Sequence, residues 1–246
     1  LLPAIASKAE RGYAVFAGTP ATPFRAKAAA LNSTLPPTQA FRNIALGCLE
    51  HYQLNEHGLI ASKDPEYVHQ ARVALRRLRS ALKLFAPVLP ADFVAAYGQT
   101  WQTLASALGD ARNWDVFVSE TLPPILAAFP NQRDALRLQR EGKRRAQQAH
   151  HAVTHLVAQP EYPRLIVEFT AAIYALNDPL SQNLEDFARQ RLKLRARQAR
   201  RLAARHRELE PAERHNMRIS FKKLRYAVEF FAPLLPAGRL KRYLPS

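Results

Sequence analysis

Apolar residues recur at the three- and four-residue spacings of an α-helix along most of the chain, and few stretches alternate as strands do. Prolines cluster between these periodic stretches, where they end helices. The pattern predicts helices at about 38–57, 65–86, 91–120 with a break near Gly109, 131–158, 161–176, 180–208 and 212–232, then a short segment from 237. Residues 1–35 show little periodicity and are interpreted as an arm. The predicted fold class is all-α.

Two of the predicted helices are copies of one another. Residues 69–90 read HQARVALRRLRSALKLFAPVLP and residues 215–236 read HNMRISFKKLRYAVEFFAPLLP, with ten identities in twenty-two positions and no gap. The offset of 146 residues is too long for a solenoid unit. The repeat therefore predicts two similar helical bundles related by a pseudo-two-fold axis, at about 36–158 and about 160–246.

Each copy projects an apolar face and a basic face when it is drawn as a helix. The apolar faces comprise Ala71, Leu75, Leu78, Leu82 and Phe85 in the first copy, and Phe221, Leu224, Val228 and Phe231 in the second. The basic faces, here called the first stripe and the second stripe, comprise His69, Arg72, Arg76, Arg79 and Lys83, and His215, Arg218, Lys222 and Arg225. Glu229 stands where the first copy has Lys83, and Arg77 and Lys223 project to a third side.

The overall charge points in the same direction as the stripes. The chain has 36 Lys and Arg against 20 Asp and Glu, a formal net charge of +16. Like charges one turn apart on a helix repel each other by roughly a few tenths of a kcal/mol per pair. A polyanion would relieve this repulsion, and Arg and Lys suit phosphate oxygens. The alternative is a basic face that is simply solvated.

His69 and His215 head the two stripes and admit several interpretations. An isolated helical histidine is most often structural. Each of these precedes an arginine by three residues, so anion contact is favoured over catalysis. A metal role is weaker, because neither has a second ligand three or four residues later.

Further basic stretches support the same theme with less force. One face of 131–158 is formed by Arg133, Arg137, Arg140, Arg144, His151 and His155, and it is interpreted as solvated. Residues 189–207 hold nine Lys or Arg and no acid. A second-tier contact surface is predicted there at Arg189, Lys193, Arg197 and Arg200, with the other cations of the segment solvated.

Several enzyme classes lack support in the sequence. It contains no GxxxxGK[ST], GxGxxG, HExxH or GxSxG motif, and no evident carboxylate pair. Asp110 and Asp115 are interpreted as capping residues that pair locally with Arg112. The single Cys48 excludes an internal disulfide framework and fits a reducing compartment. No apolar run is long enough to span a membrane. The chain is interpreted as a binding protein without catalytic residues, metal or cofactor.

At these residues the sequence resembles the CHAD domain, a helical family named for its conserved histidines. The resemblance lies in VHQARVALRRLRSALKLF at 68–85, LGDARNWDVF at 108–117 and RHNMRISFKKLRYAVEFF at 214–231, and it covers about 36–246. It implies two four-helix bundles, a basic channel between them and binding of inorganic polyphosphate. By position it implies ligand contacts from His69, Arg72, Arg76, Arg77 and Arg79, and from His215, Arg218, Lys222, Lys223 and Arg225.

Two features depart from the family pattern or extend it. The family usually continues past the second motif with one more helix, so the second bundle is expected to be incomplete. Residues 7–18, SKAERGYAVFAG, resemble the end of a CYTH domain, a triphosphate-tunnel module that is often joined to CHAD. This similarity implies a longer triphosphatase whose catalytic tunnel lies outside these residues.

The leading hypothesis is a non-enzymatic, cytoplasmic module that binds inorganic polyphosphate and is associated with polyphosphate granules. Single-stranded nucleic acid is the first alternative ligand, although the stripes carry no aromatic residues for base stacking. The second alternative is an enzyme that acts on phosphate chains through His69 and His215.

Overall fold

The computed structural model describes residues 22–177 and 183–236, together with Ser7, Ala9, Tyr13, Phe16 and Ala17. These residues are mainly helical and contain no strand, which confirms the all-α class. The α-helices are α1 (Pro37–Ala61), α2 (Pro65–Phe85), α3 (Ala91–Val116), α4 (Leu122–Ala128), α5 (Arg133–Ala158), α6 (Glu161–Tyr174), α7 (Leu184–Ala204) and α8 (Pro211–Phe231).

The starts of the helices follow from local sequence. Pro37, Pro65 and Pro211 are the first residues of α1, α2 and α8, where proline suits the helix because its missing N–H would have no partner there. The Asn183 side chain accepts a hydrogen bond from the Asp186 backbone N–H at 2.8 Å and caps α7. The Glu210 backbone N–H donates to Glu213 Oε2 at 3.1 Å at the start of α8.

The predicted break near Gly109 is wrong, because α3 continues through it to Val116. A glycine inside a helix costs only about 1 kcal/mol. The Arg72 Nε lies 3.6 Å from the position that a Cβ at residue 109 would take, which is an ordinary van der Waals distance. The helix changes character later, at a π-helical segment Phe117–Thr121 that leads into α4 with prolines in its first turn.

The two copies of the repeat have the same local structure. Both α2 and α8 are helices of 21 residues, and both pass directly into a short 3-10 turn, Ala86–Val88 and Ala232–Leu234. Phe85 and Phe231 precede these turns with φ near −93° and −91°. Equivalent sequences therefore fold equivalently at this level, while the pseudo-two-fold axis and the channel stay predictions.

The described residues form two compact units that alternate along the chain. Unit 1 comprises the described residues of Leu1–Ala26, Leu49–Arg76 and Gln99–Ala171, and unit 2 those of Lys27–Cys48, Arg77–Gly98 and Ala172–Ser246. The boundary falls inside α1, α2, α3 and α6, so each of these helices contributes residues to both units. The predicted domain bounds of 36–158 and 160–246 stay a prediction.

Aromatic packing organises the core of unit 2. The ring centroid of Phe85 lies 5.1 Å from that of Phe187 and 5.7 Å from that of Phe231. Phe41 packs against Phe85 from α1 at 5.8 Å. Because Phe85 and Phe231 are equivalent positions of the repeat, the ends of the two copies share one cluster within this unit.

Unit 1 has its own aromatic core. Trp101 packs edge-on against Phe169 with centroids 5.1 Å apart, and both side chains are fully buried. Tyr52 contacts Tyr162 at 6.3 Å. Gly58 lets the buried Tyr67 ring pack directly against the backbone of α1.

Some sequence predictions fall outside the residues just described. Most of the CYTH-like segment at 7–18 and all of the short segment from 237 lie outside them. Among the helices that are described, none is long and apolar enough to cross a membrane.

Two glycines of α1 give opposite predictions when changed to alanine. In Gly58→Ala the new Cβ overlaps the Tyr67 ring, so the buried ring must move, and we expect a loss of about 1–3 kcal/mol in the free energy of unfolding. In Gly47→Ala the new Cβ has no atom within 4 Å, and we expect a gain of about 0.5–1 kcal/mol. Urea unfolding of both variants measures the difference, and a stable Gly58→Ala protein would contradict the packing.

Candidate functional site

The first stripe adjoins a fully buried face of α2. Its predicted apolar partners Ala71, Leu75, Leu78, Leu82 and Phe85 are at most 1 % exposed, which confirms that face. His69, Arg72, Arg76 and Arg79 are half-buried, and Lys83 is more exposed. His69 and the three arginines are therefore held close to the core, whereas Lys83 is exposed.

In unit 1, three arginines surround His69. Burial lowers the pKa of His69, and the charges of Arg112, Arg76 and Arg72 lower it further, while Glu66 opposes them. The buried Nδ1 of His69 has no hydrogen-bond partner in the described part of the chain. The imidazole is therefore held neutral in a positive environment, which suits contact with an anion.

A hydrogen-bonded chain fixes the acid beside His69. Gln70 Nε2 donates to Glu66 Oε1 at 2.7 Å. Gln70 Oε1 in turn accepts from Nε2 of the buried His51 at 3.0 Å. This chain holds the Glu66 carboxylate one turn before His69.

Sequence reasoning missed Arg112 as a member of this group. It expected Arg112 to pair with Asp110 and Asp115, but Asp115 Oδ1 accepts from His150 Nε2 at 2.8 Å. Arg112 instead lies 3.6 Å from Glu120, and its charge acts on His69. The signal for Arg112 in the sequence is the motif LGDARNWDVF at 108–117. A pairing between Arg112 and the two acids of the same motif does not account for its position beside His69.

In unit 2, cations from three helices converge on Lys83. Partial desolvation lowers the pKa of Lys83, and the charges of Arg79, Lys223 and Arg195 lower it further. Arg195 Nη2 also donates to the Lys83 backbone carbonyl at 3.5 Å. Helices α2, α7 and α8 thus bring four cations together, here called the Lys83 cluster (Arg79, Lys83, Arg195 and Lys223).

On α7 the half-buried cations are not the predicted ones. Arg191 and Arg195 are half-buried, and burial lowers the pKa of both. In helical projection they lie on one side of the apolar face of α7 (Leu192, Ala196, Ala199 and Ala203), and the predicted set lies on the other. Their position beside an apolar face is the signal for them in the sequence. Arg189, a predicted residue, forms ion pairs with Glu185 at 2.7 Å and Asp186 at 3.1 Å.

The remaining predicted α7 residues lie around a cleft in unit 2. Lys193 and Arg200 line this cleft of about 530 Å³ between α7 and α8, and Arg197 is exposed. Phe221 lines it too and is 46 % exposed, so this member of the second copy's apolar face does not lie in the core. Its ring faces the open cleft instead of a packed neighbour.

The second stripe differs from the first in its exposure. Its four members are all exposed: His215, Arg218, Lys222 and Arg225. Lys223 beside them is exposed as well. Arg225 Nε lies 3.0 Å from Glu229 Oε1. The other oxygen of Glu229 accepts from Arg77 Nη1 at 2.5 Å, so a single carboxylate holds two predicted ligand residues.

The Arg77 side chain contacts several groups within unit 2. Its guanidinium stacks over the Phe230 ring at 5.1 Å, and its side chain is 13 % exposed. It also contacts the buried Cys48 thiol: burial raises the pKa of that thiol to about 11, although the Arg77 charge and hydrogen bond act to lower it. Arg77 therefore has a structural ion pair in this state of the protein.

The described residues contain no group of three or more His, Cys, Asp or Glu side chains that could hold a metal ion. The groups they do bring together are guanidinium, ammonium and imidazole groups. Their common chemistry is the binding of anions.

Comparison with known proteins places this arrangement in a family. No curated protein matches the chain. Its fold is similar to the crystal structure of the CHAD domain from the plant Ricinus communis, with a TM-score of 0.80, 36% identity and coverage of 91% of this chain and 75% of that one. PptA from Streptomyces chartreusis has a similar fold at 12% identity, with a TM-score of 0.64 and coverage of 84% and 79%. The CHAD domain model matches residues 43–246, and the chain therefore belongs to the CHAD family.

Proposed function

We propose that this part of the chain is a non-enzymatic module that binds inorganic polyphosphate through the first and second stripes. The observation that carries the proposal is the Lys83 cluster, in which three helices bring like charges together and lower the pKa of Lys83. Such an arrangement costs free energy in the unliganded protein, and a bound polyanion offsets that cost.

The type of cation favours phosphate. Arginine presents forked donors that match phosphate oxygens, and lysine adds a mobile point charge. Both types occur in the cluster, and His69 adds a donor in unit 1. A linear chain of phosphates carries negative charges at short, regular intervals. It can therefore place a negative charge beside each cation of a row in which the cations are one helical turn apart.

Membership of the CHAD family supports the choice of ligand, since the sequence resemblance implies polyphosphate binding. The stripes themselves contain no aromatic residues on which bases could stack, which disfavours single-stranded nucleic acid. The proposed contacts are the two stripes with Arg77 and Lys223. Arg189, Lys193, Arg197 and Arg200 form a second tier, and we add Arg112, Arg191 and Arg195 to the proposed contacts.

Removing one arginine from each stripe tests the proposal. We expect Arg72→Ala with Arg218→Ala to weaken polyphosphate binding by about 2–6 kcal/mol in total, because each charge-assisted contact contributes about 1–3 kcal/mol. Titration calorimetry at fixed salt gives the affinity, and circular dichroism checks that the helix content is unchanged.

A matched control removes the same charge elsewhere. Arg164→Ala with Arg205→Ala deletes two exposed arginines of local ion pairs that are outside the proposed contacts. This control should bind nearly as well as the wild-type chain. If both double variants bind equally, the assignment of Arg72 and Arg218 is wrong.

A competition between polyanions tests the ligand class. At physiological salt we expect polyphosphate to bind more tightly than single-stranded DNA of the same total charge, because nothing in the stripes stacks on bases. Both affinities should fall steeply as salt increases, since binding releases counterions. Equal affinities would favour the nucleic-acid alternative.

Proton uptake at His69 gives a pH-dependent prediction. In the unliganded protein the pKa of His69 is lowered, so the ring is neutral near pH 7, and a bound polyanion favours the imidazolium and raises that pKa. Binding therefore takes up a proton, and affinity should increase as the pH falls from 8 to 6, by at most about tenfold per unit for one proton.

The variant His69→Gln should flatten this dependence. His151→Gln, which changes an exposed histidine of α5 in the same unit, should leave it unchanged. A wild-type pH profile in His69→Gln would show that the proton is taken up elsewhere.

A further inference from the structure

One carboxylate interrupts the symmetry of the two basic stripes. The first copy of the repeat has Lys83 at its fifth stripe position, and the second copy has Glu229 there. Glu229 is 19 % exposed and contacts cations from both copies. Its Oε2 lies 2.5 Å from Arg77 Nη1 and its Oε1 lies 3.0 Å from Arg225 Nε.

The two ion pairs of Glu229 differ in character. The pair with Arg77 is largely shielded from water and is fixed by the Phe230 ring beneath the guanidinium. Breaking such a pair is costly, because an unpaired charge would stay behind in a shielded site. The pair with Arg225 joins residues four apart on α8, and the Arg225 side chain is 56 % exposed. A pair of this kind contributes little and exchanges readily.

We propose that Glu229 is an internal counter-ion that limits polyanion binding at the second stripe by holding Arg225. Arg77 anchors the carboxylate, and the anchored carboxylate neutralises Arg225 in the unliganded protein. A polyphosphate that reaches Arg225 must displace Glu229 from it and then lie beside a fixed negative charge. Glu229 is thus a residue that sets affinity, and this inference rests on the proposed function.

If Glu229 neutralises Arg225, Arg225 contributes less to polyphosphate affinity than Arg218 on the same helix. Arg218 is exposed on the same helix, and no ion pair joins it to a carboxylate of the described residues. We expect Arg218→Gln to weaken polyphosphate binding by about tenfold, the equivalent of one charge-assisted contact. Arg225→Gln should weaken it by less than about threefold, because the charge that it removes is already neutralised.

Removing the carboxylate should abolish the difference between Arg225 and Arg218. In Glu229→Gln, the side-chain amide oxygen still accepts from Arg77 but no longer neutralises Arg225. We expect binding to tighten by about tenfold, and the plot of log affinity against log salt to become steeper by about one unit, since one more cation engages the ligand. In the Glu229→Gln background, Arg225→Gln should then cost about tenfold.

The experiment is a polyphosphate titration at several salt concentrations on wild type, Arg218→Gln, Arg225→Gln, Glu229→Gln and the double variant Glu229→Gln with Arg225→Gln. Glu168→Gln is the matched control, because it removes a carboxylate from another i,i+4 pair, with Arg164, outside the proposed contacts. It changes net charge by the same amount and should leave the salt slope unchanged. Thermal unfolding reports the state of the Arg77 pair in each variant.

The outcomes separate this inference from the function on which it rests. If Glu229→Gln changes only the unfolding temperature and leaves affinity and salt slope at wild-type values, Glu229 has a structural role alone and the inference is wrong. Equal losses in Arg225→Gln and Arg218→Gln would overturn it too, without any dependence on how Glu229→Gln folds. If the wild-type chain does not bind polyphosphate, the proposed function itself fails.

Discussion

Mutual repulsion among partly desolvated cations is the constraint on which the proposed site depends. Helix α2 uses one face to fill the core, and the adjoining face holds His69 and a row of arginines close to that core. Water screens such charges less than it screens extended surface charges, so each cation lowers the pKa of its neighbours, as at His69 and Lys83. Burial of the apolar face fixes α2 in place, and the fixed helix keeps these cations together. A ligand with closely spaced negative charges then meets groups whose positions are already set, and little side-chain ordering remains to oppose binding.

The repeat shows how one sequence pattern acquires two electrostatic environments. Helices α2 and α8 have the same length and the same 3-10 turn at the end, and Phe85 and Phe231 meet in one aromatic cluster. Their stripes nevertheless differ, because neighbouring helices cover the first one partly and leave the second one exposed. An exposed cation is well hydrated and loses that hydration on contact with a ligand. A half-buried cation has lost part of its hydration during folding. The two copies are therefore expected to contribute differently to affinity even where their residues are identical.

Local sequence was sufficient for the helices and for the buried face of α2, since both depend on spacing along one helix. It failed where a neighbour decides the outcome. Gly109 does not break α3, because the flanking Leu108 and Ala111 are fully buried and their packing outweighs the cost of one glycine, about 1 kcal/mol. Arg112 does not pair with Asp115, because His150 takes that carboxylate. The sequence predicts that Arg191 and Arg195 are solvated, but they are half-buried on the flank of α7 that approaches Lys83. No helical projection could show that Glu229 reaches Arg77 across 152 positions of sequence.

Burial determines the reactivity of the one cysteine in this chain. Cys48 is the one cysteine among the 246 residues, it is buried, and its pKa near 11 keeps the thiol protonated at neutral pH. Thiolate is the species that reacts with maleimides and with disulfides, so the native thiol reacts slowly with both. A cysteine introduced on the exposed face of α8 would then be labelled selectively without removal of Cys48. Fluorescent reporters can thus be attached beside the basic residues while the ion pair that supports them is left intact.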